Sequence, residues 1–516
     1  MTIQETFQLA TQRFQAGGIA DAESLCRRIL AFQPQNADAL HLLGLIVVQC
    51  GHREQALELF RRATTIHPNQ AEFHANLATV LSELQRNEEA VAAFGRAIAL
   101  RPDFAQAYNN LGNVLGTLGK TDQAVACIHK ALQIQKNYPQ AFYNLANIYL
   151  KAEQWEMSLK HYRQALSLQP NWREAENNMC NALCALGRFD EVEGIFQQAL
   201  LCRPSDPLAH WNVALTLLRR GDMERGWTEY EWRKQIPELR VNRLVACQPE
   251  WDGGGLAGRR ILIYAEQGMG DSIQFARYLP LVADLGGKIV LSCQKELVDL
   301  LKNIPGVEEC QPQPGWAAAS FDTHCSLPSL PRLMRTTLAN IPGHVPYLSA
   351  DAVKLNQWKT RFAGDARQKI GIVWAGSPRH PHDSQRSIRL AQLAPLAQCG
   401  ARLISLQKGD AAAQIASAGL EIENYSHELL DFTDTAALIQ NLDLVITVDT
   451  AVAHLAGALG RPVWVLIPFV PDWRWMFERT DSPWYPSMRL FRQEKAGDWQ
   501  PVVRRIAAEL KASERC

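Results

Sequence analysis

The chain has 516 residues, enough for about three domains at the usual size of roughly 150 residues each. Lysine plus arginine and aspartate plus glutamate both total 53, so the formal charge is zero, which argues against the basic surface of a nucleic-acid-binding protein. Twelve cysteines form no CxxC pair, a pattern that favours reduced thiols. The start, MTIQETFQLATQRFQAGG, has no apolar signal segment, and no run of about 18 apolar residues occurs, so we expect a cytoplasmic protein of bacterial type without a transmembrane segment.

The first half of the sequence repeats every 34 residues. Prolines recur at this spacing or twice it, at Pro34, Pro68, Pro102, Pro170 and Pro204, and small residues recur between them, at Gly44, Ala78, Gly112, Ala146 and Cys180. Small side chains at such positions let two helices approach closely. The period and pattern resemble the tetratricopeptide repeat, and we predict an all-α solenoid over residues 1–240, with six repeats and a degenerate seventh. Arrays of this kind usually hold a peptide or a partner protein.

Asparagine also recurs at this period, at Asn76, Asn110, Asn144, Asn178 and Asn212. A carboxamide both donates and accepts hydrogen bonds, so a row of them can bind a peptide backbone whatever its sequence. The array resembles that of O-GlcNAc transferases, and the resemblance implies that the row lines a groove for a protein acceptor. The alternative is that asparagine is a structural residue of this repeat, and both interpretations stay open.

Residues 241–258 are predicted to be a linker, because the period fails and QPEWDGGGLAGRR is rich in glycine. Just before it, Trp227, Tyr230 and Trp232 are expected to pack the last repeat onto the next domain. Beyond it, strand-like runs alternate with helical patterns in two series, RILIYA, KIVLSC and SFDTHC, then KIGIVWAGS, ARLISLQ, LDLVITV and PVWVLI. Such alternation predicts two Rossmann-like α/β lobes, at residues 259–350 and 368–516, with a ligand cleft at the carboxyl ends of their parallel strands.

The segment AEQGMGDSIQFARYLP joins the first strand to a helix. Gly268 and Gly270 fit two glycines of the dinucleotide fingerprint, but Ile273 replaces the third. No acidic residue ends the next strand, which disfavours a dehydrogenase. Asp271 then has two possible roles. It can cap the helix, with Gln274 completing a capping box, or it can face the cleft as a general base.

A second strand-to-helix junction lies in LDLVITVDTAVAHLAGALGRP. Asp449 and Thr450 stand at the helix start, where free amides and the helix dipole attract a diphosphate. His454 follows about one turn later, on the side that faces the same place. The alternative is that Asp449 or Thr450 caps the helix and that His454 is a core residue.

The loop from Gly270 and Asp271 to Leu279 and Pro280, together with the V-D-T-x-x-x-H-L-A-x-A-L-G segment, resembles the ADP-heptose:lipopolysaccharide heptosyltransferases, glycosyltransferase family 9, over about residues 258–509. The resemblance implies a GT-B fold and inverting sugar transfer from a nucleotide-diphosphate donor without a bound metal. No cofactor is expected, since the nucleotide sugar is a co-substrate. By position, the resemblance makes Asp271 the catalytic base and the N-terminal lobe the acceptor side.

The resemblance also implies a nucleotide-sugar site on the C-terminal lobe and the loops that face it. Its residues are Gly268, Gly270, Ser377, Arg386, Ser387, Gln407, Lys408, Asp449, Thr450 and His454. Arg386 would supply a cation for the diphosphate, and Gln407 and Lys408 would lie near the nucleoside. Ala451 departs from the family, which usually has glycine there, so the identity of the sugar stays open.

We therefore predict a tetratricopeptide array fused to a hexosyl- or heptosyltransferase that acts on a hydroxyl of a protein held by the array. One alternative is a non-catalytic scaffold that binds a nucleotide sugar as a signal, although a scaffold has no need of a base at Asp271. Two others are a transferase acting on lipopolysaccharide or another glycan, and a sugar-nucleotide epimerase, which has no use for a peptide-binding array.

Overall fold

The computed structural model describes residues 1–239, 247–266, 268–314, 320–380 and 383–513. Contacts divide the chain into two compact units, Met1–Arg188 and Phe189–Cys516. Outside the described residues lie residues 240–246, where the predicted array ends and the predicted linker begins, and Gln267 of the first strand-to-helix loop. No helix in the described ranges is both long and apolar enough to cross a membrane.

The first unit consists of helices joined in pairs by short turns. They are α1 (Ile3–Gln15), α2 (Ile19–Phe32), α3 (Ala37–Gln49), α4 (Arg53–Ile66), α5 (Ala71–Glu83), α6 (Asn87–Leu100), α7 (Ala105–Thr117), α8 (Thr121–Ile134), α9 (Pro139–Lys151), α10 (Trp155–Leu168) and α11 (Arg173–Ala185). Helices α1 to α10 form five packed pairs, and each pair packs on the helix that follows it, which is the arrangement of a tetratricopeptide solenoid.

Small residues set the closeness of this packing, as the sequence predicted. A Cβ atom added to Gly44 would lie 2.6 Å from the ring of Phe60, and one added to Gly112 would lie 2.5 Å from Ile128. Both distances are too short for carbon atoms, so only glycine fits where α3 meets α4 and α7 meets α8. The 34-residue period is therefore the period of a tightly packed helix pair.

The second unit begins with the last helices of the repeat pattern, α12 (Phe189–Cys202), α13 (Pro207–Arg220) and α14 (Met223–Tyr230). Asp206 caps α13 by accepting from the amide of Leu208 at 3.2 Å. Trp227 and Tyr230 of α14 are buried in the same hydrophobic core as the first α/β lobe, as predicted. Trp232 stacks on the ring of His210 instead, at 3.9 Å between centroids. The second unit thus joins the end of the repeat pattern to the α/β lobes.

The N-terminal lobe is a four-stranded parallel sheet in the order β3-β2-β1-β4. Its elements are β1 (Arg260–Tyr264), α15 (Met269–Phe275), α16 (Leu279–Asp284), β2 (Lys288–Cys293), α17 (Val298–Leu301), β3 (Val307–Pro312), β4 (Thr323–Ser326) and α18 (Leu330–Leu333). The sequence predicts all of these strands except β3. That strand lies at the sheet edge with exposed glutamates and lacks an apolar run.

The C-terminal lobe is a six-stranded parallel sheet in the order β10-β9-β8-β5-β6-β7. Its elements are α19 (Ala352–Arg361), β5 (Lys369–Val373), α20 (Asp383–Arg386), β6 (Arg402–Ser405), β7 (Glu423–Asn424), α21 (Phe432–Gln440), β8 (Leu444–Val448), α22 (Ala451–Ala458), β9 (Val463–Ile467), β10 (Met488–Arg492) and α23 (Gln500–Ser513). Short 3-10 segments lie at Glu231–Gln235, Pro237–Leu239, Ala276–Tyr278, Lys295–Leu297, Leu327–Ser329, Leu390–Gln398, Asp410–Ser417 and Trp473–Trp475. Two parallel sheets covered by helices confirm the predicted α/β fold of GT-B type.

Candidate active site

Two helix starts meet at the carboxyl ends of strands β1 and β8. Helix α15, which follows β1, packs against α22, which follows β8. Gly270 in the first turn of α15 lies against His454 of α22, and a Cβ atom on this glycine would be 3.0 Å from the Cδ2 atom of the imidazole. The two strand-to-helix junctions that the sequence singles out are therefore brought together at one place.

Asp271 lies within the first turn of α15 and does not cap it. The cap position belongs to Gly268, while the Asp271 carboxylate pairs with the guanidinium of Arg474 and keeps 28% of its side chain exposed. Gln274 forms no capping box, because its Oε1 accepts from Arg474 Nε at 2.5 Å. The predicted capping role of Asp271 is wrong, because the helix begins at Met269, with Gly268 at the cap position, and Asp271 is its third residue.

The electrostatics at Asp271 favour a stronger base than an ordinary aspartate. Burial raises the pKa of its carboxyl group, the nearby Arg474 opposes this rise, and the carboxylates of Asp472 and Glu266 add to it. A carboxylate with a raised pKa is a stronger base and accepts a proton more readily.

Sequence reasoning missed Arg474. This residue is only 8% exposed, and its Nη1 donates to Asp472 Oδ1 at 2.8 Å in addition to the bonds to Asp271 and Gln274. A buried arginine needs carboxylate partners, so the segment PDWRW, with an arginine between two tryptophans, is a signal that could have indicated it. Because Arg474 belongs to the C-terminal lobe and Asp271 to the other, the ion pair connects the lobes at the site.

The start of α22 has no side-chain cap. Thr450 occupies the cap position, but its side chain makes no bond to the first-turn amides and lies 3.1 Å from the hydroxyl of Thr447. The predicted capping by Asp449 or Thr450 is therefore wrong. Burial raises the pKa of Asp449 to about 6, and the neighbouring carboxylate of Asp472 adds to this rise. Uncapped amides at a helix start can bind an anion.

His454 is a buried residue whose ring reaches the site at one edge. Its Nδ1 lies 3.0 Å from the hydroxyl of Tyr485, and its ring stacks on Trp475 at 5.4 Å between centroids. Burial lowers the pKa of the imidazole to about 3, so the ring is neutral at pH 7. The environment is that of a core histidine, and the edge carrying Cδ2 and Nε2 faces Gly270.

Arg386 lies beside the start of α22. Its Nη1 donates to the carbonyl oxygen of Asp449 at 3.0 Å, and its Nε donates to Asp383 Oδ1 at 3.2 Å. A Cβ atom on Gly376 would overlap the guanidinium, so glycine after strand β5 is what admits the cation. This position is compatible with the predicted contact to a diphosphate.

The two predicted serines lie in the same loop region. Ser387 Oγ donates to Asp383 Oδ1 at 3.0 Å and accepts from the amide of Gly376 at 2.9 Å. Ser377 is exposed, and its hydroxyl accepts from the amide of Arg379 at 3.4 Å. Ser387 therefore holds the loop around Arg386, while Ser377 keeps an accessible hydroxyl.

Gln407 and Lys408 stabilise the strand ends of the C-terminal lobe. Gln407 is buried, and its Oε1 accepts from the amides of Trp374 and Ala375 at 3.1 and 2.9 Å. Its Nε2 donates to the carbonyl oxygens of Ala375 and Lys408, both at 3.0 Å, so backbone groups use the whole carboxamide. Lys408 Nζ donates to carbonyl oxygens within residues 426–429. A nucleoside contact by Gln407 would require one of these bonds to open.

The recurring asparagines of the first unit bond to the neighbouring helix pair. Their bonded pairs are Asn76–His41 (2.8 Å), Asn144–Asn109 (3.0 Å) and Asn178–Tyr143 (3.2 Å), and the two partners are 35 positions apart in the sequence each time. Asn144 is only 7% exposed, which favours a structural role for it. Asn110 is half-buried and accepts from Asn109 at 3.1 Å, and Asn212 is half-buried in the second unit. Acceptor binding by the half-buried members stays a prediction.

Fold and site together define a repeat protein that carries a two-lobed α/β domain. Its charged site residues lie where the helix after β1 meets the helix after β8. Comparison with protein families matches residues 397–466 to the glycosyltransferase family 9 (heptosyltransferase) model, residues 103–171 and 80–119 to tetratricopeptide repeat models, and residues 16–97 to the model of anaphase-promoting complex, cyclosome, subunit 3. The chain thus combines tetratricopeptide repeats with a glycosyltransferase family 9 domain, which supports a glycosyltransferase.

A curated relative is Protein FlbA of Caulobacter vibrioides, 29% identical over 332 residues that cover 58% of this chain and 54% of FlbA. The chain therefore matches about half the length of this relative. Among solved structures, PilF of Pseudomonas aeruginosa is 20% identical with a TM-score of 0.36, covering 45% of this chain and 97% of PilF. YrrB, described as a TPR protein with an unusual peptide-binding site, is 22% identical with a TM-score of 0.30, covering 33% of this chain and 88% of YrrB.

Proposed function

We propose that the protein is an inverting, metal-independent glycosyltransferase that moves a sugar from a nucleotide-diphosphate donor to a hydroxyl of a protein recruited by the repeat array. The observation that carries this proposal is the meeting of α15 and α22, which sets a carboxylate from one lobe opposite a cation and free amides from the other. Acid–base and anion-binding groups on facing lobes are what sugar transfer from a diphosphate requires.

In the proposed reaction, the acceptor hydroxyl oxygen attacks the anomeric carbon and its proton passes to the Asp271 carboxylate. The bond between the anomeric carbon and the phosphate oxygen breaks, and the electron pair leaves with the nucleoside diphosphate. Arg386 and the first amides of α22 offset the charge that develops on this leaving group. Attack from the face opposite the leaving group inverts the anomeric configuration.

The support for a protein acceptor is the array itself. Tetratricopeptide solenoids present surfaces on which peptides and proteins bind. A small glycan needs no such surface. A transferase acting on lipopolysaccharide or another glycan would be the conclusion if the purified protein modified glycans and left candidate proteins untouched.

Donor binding can be tested with a thermal-shift panel of UDP-, GDP-, ADP- and dTDP-sugars. The expected result is that the sugar of one nucleotide raises the melting temperature of the wild type. Arg386→Ala should weaken the affinity for this donor by about 10- to 150-fold, because a charged hydrogen bond contributes about 1.5–3 kcal/mol. Arg389→Ala, an exposed arginine three residues further on, is the matched control. Equal affinity in the wild type and Arg386→Ala would remove this donor site.

A further inference from the structure

Arg233 is a buried arginine with partners for its whole guanidinium. It is 2% exposed, and it pairs with Glu266 through two bonds, Nε to Oε2 at 2.8 Å and Nη2 to Oε1 at 2.6 Å. The Nη2 group also donates to the hydroxyls of Ser326 and Ser329, at 3.0 and 2.9 Å. The Nη1 group donates to the Tyr230 carbonyl oxygen at 3.1 Å and to a carboxylate oxygen of Glu231 at 2.8 Å.

These partners come from two parts of the second unit. Arg233 lies in the 3-10 segment Glu231–Gln235, which directly follows the last repeat helix α14. Glu266 lies just after strand β1, and Ser326 is the last residue of the neighbouring parallel strand β4. The end of the repeat pattern therefore inserts a cation at the carboxyl edge of the N-terminal sheet, where α/β folds carry their functional loops.

We propose that Arg233 is a positioning residue for Asp271: through the two-bond pair with Glu266, the segment after the last repeat holds the loop that joins β1 to α15 and so fixes the carboxylate that accepts the proton. The inference rests on the proposed function for its catalytic consequence. Its structural part, the fixing of this loop by Arg233, stands on the contacts alone. The repeat pattern then contributes to the chemistry and not only to acceptor recruitment.

The Arg233–Glu266 pair also affects the electrostatic environment of Asp271. The groups that face Asp271 are Arg474 and Asp472 from the segment around Trp473–Trp475, Glu266 from its own loop and Tyr230 from α14. The neutral ring of His454 lies against the neighbouring Gly270. The Glu266 carboxylate adds to the raised pKa of Asp271. Removing the Arg233 cation leaves that negative charge uncompensated, so the pKa of Asp271 rises further and the acidic limb of the rate profile moves to higher pH.

The experiment compares the full-length wild type with Arg233→Met, Glu266→Gln and the double variant. Hydrogen exchange of peptides covering residues 265–275 measures the loop directly and needs no substrate. Hydrolysis of the panel nucleotide sugar that binds measures turnover against pH. We expect Arg233→Met to exchange hydrogen faster in this loop and to lose about tenfold or more in turnover, with donor affinity unchanged. The acidic limb of its pH–rate profile should move to higher pH. In the double variant, the acidic limb of the pH–rate profile should return towards its position in the wild type, because the substitutions remove both charges of the Arg233–Glu266 pair.

Arg402 and Glu423 provide the matched control. They form another two-bond pair, between strands β6 and β7 and away from Asp271, so Arg402→Met with Glu423→Gln should lower stability without changing the loop exchange or the pH limb. The proposal is overturned if Arg233→Met matches this control in both measurements. If the wild type hydrolyses no nucleotide sugar, the proposed function fails, while the exchange measurement still decides whether Arg233 holds the loop.

Discussion

At the scale of single residues, the pairing of Asp271 with Arg474 decides how the site can work. The guanidinium orients the carboxylate and opposes the rise in its pKa that burial causes. Asp271 does not cap its helix, because Gly268 occupies the cap position and Asp271 is the third helical residue. An oriented carboxylate with a raised pKa suits a base that takes a proton late in the reaction.

Replacement of Asp271 by asparagine tests this role. The carboxamide would keep an oxygen for Arg474 but could not accept the proton, so we expect Asp271→Asn to lose at least about a hundredfold in turnover while donor affinity is retained. Asp322→Asn is the matched control, because Asp322 accepts from the amide of Arg260 at the opposite end of strand β1. Normal turnover in Asp271→Asn, measured by product formation, would assign the ion pair a structural role only.

Asp449 predicts a pH dependence of stability. Its pKa of about 6 in the folded protein exceeds the value of about 3.9 in an unfolded chain, so the native state binds more protons between these values. Stability is therefore lost as pH rises through this window. We expect Asp449→Asn to melt higher than the wild type at pH 7 and to show little gain at pH 4. A difference in melting temperature that stayed constant across this range would contradict the assignment.

At the scale of secondary-structure elements, the recurring asparagines combine two demands on one repeat position. Bonds to the preceding helix pair fix neighbouring repeats, while binding of an acceptor needs a free amide. Asn144 satisfies the first demand, because it donates to Asn109 and accepts from Gln140 at 3.2 Å. Asn110, half-buried one repeat earlier, is the better candidate for the second.

Alanine variants separate the two demands. Asn144→Ala leaves buried polar groups with fewer partners, and we expect it to lower the free energy of unfolding of the first unit by about 1–3 kcal/mol. Asn110→Ala should cost less than this and raise the apparent Michaelis constant for a protein acceptor about 2- to 12-fold, with donor hydrolysis unchanged. Chemical denaturation and paired transfer and hydrolysis assays measure these effects. An unaltered Michaelis constant would make the row structural throughout.

At the scale of the whole molecule, the division into two compact units has a thermodynamic consequence. The residues proposed to bind the donor all lie in the unit Phe189–Cys516, so a nucleotide sugar should stabilise that unit and leave Met1–Arg188 unaffected. At 100 times its dissociation constant the donor adds about 2.7 kcal/mol. Calorimetry should then show one transition that moves upward with donor and one that does not. Equal movement of both transitions would contradict this division.

The sequence by itself determined the architecture. A strict 34-residue period with small residues at fixed places specifies helix pairs, and apolar runs alternating with helical patterns specify parallel sheets, because both signals are local and recur along the chain. The junctions at Asp271 and Asp449 could also be recognised, since a strand followed by a small residue and a helix start is a local pattern. The exposed edge strand β3 could not, because it has no apolar run.

Only the tertiary structure decided which partners these residues have. Arg474 reaches Asp271 across about 200 residues of sequence, and Arg233 reaches Glu266 from the end of the repeat pattern. No local pattern encodes such pairings, because they arise when buried charges from separate elements must neutralise one another after packing. Gln407 is a further case. Its position in the sequence suggested a nucleoside contact, but in the folded protein its carboxamide hydrogen-bonds to backbone groups.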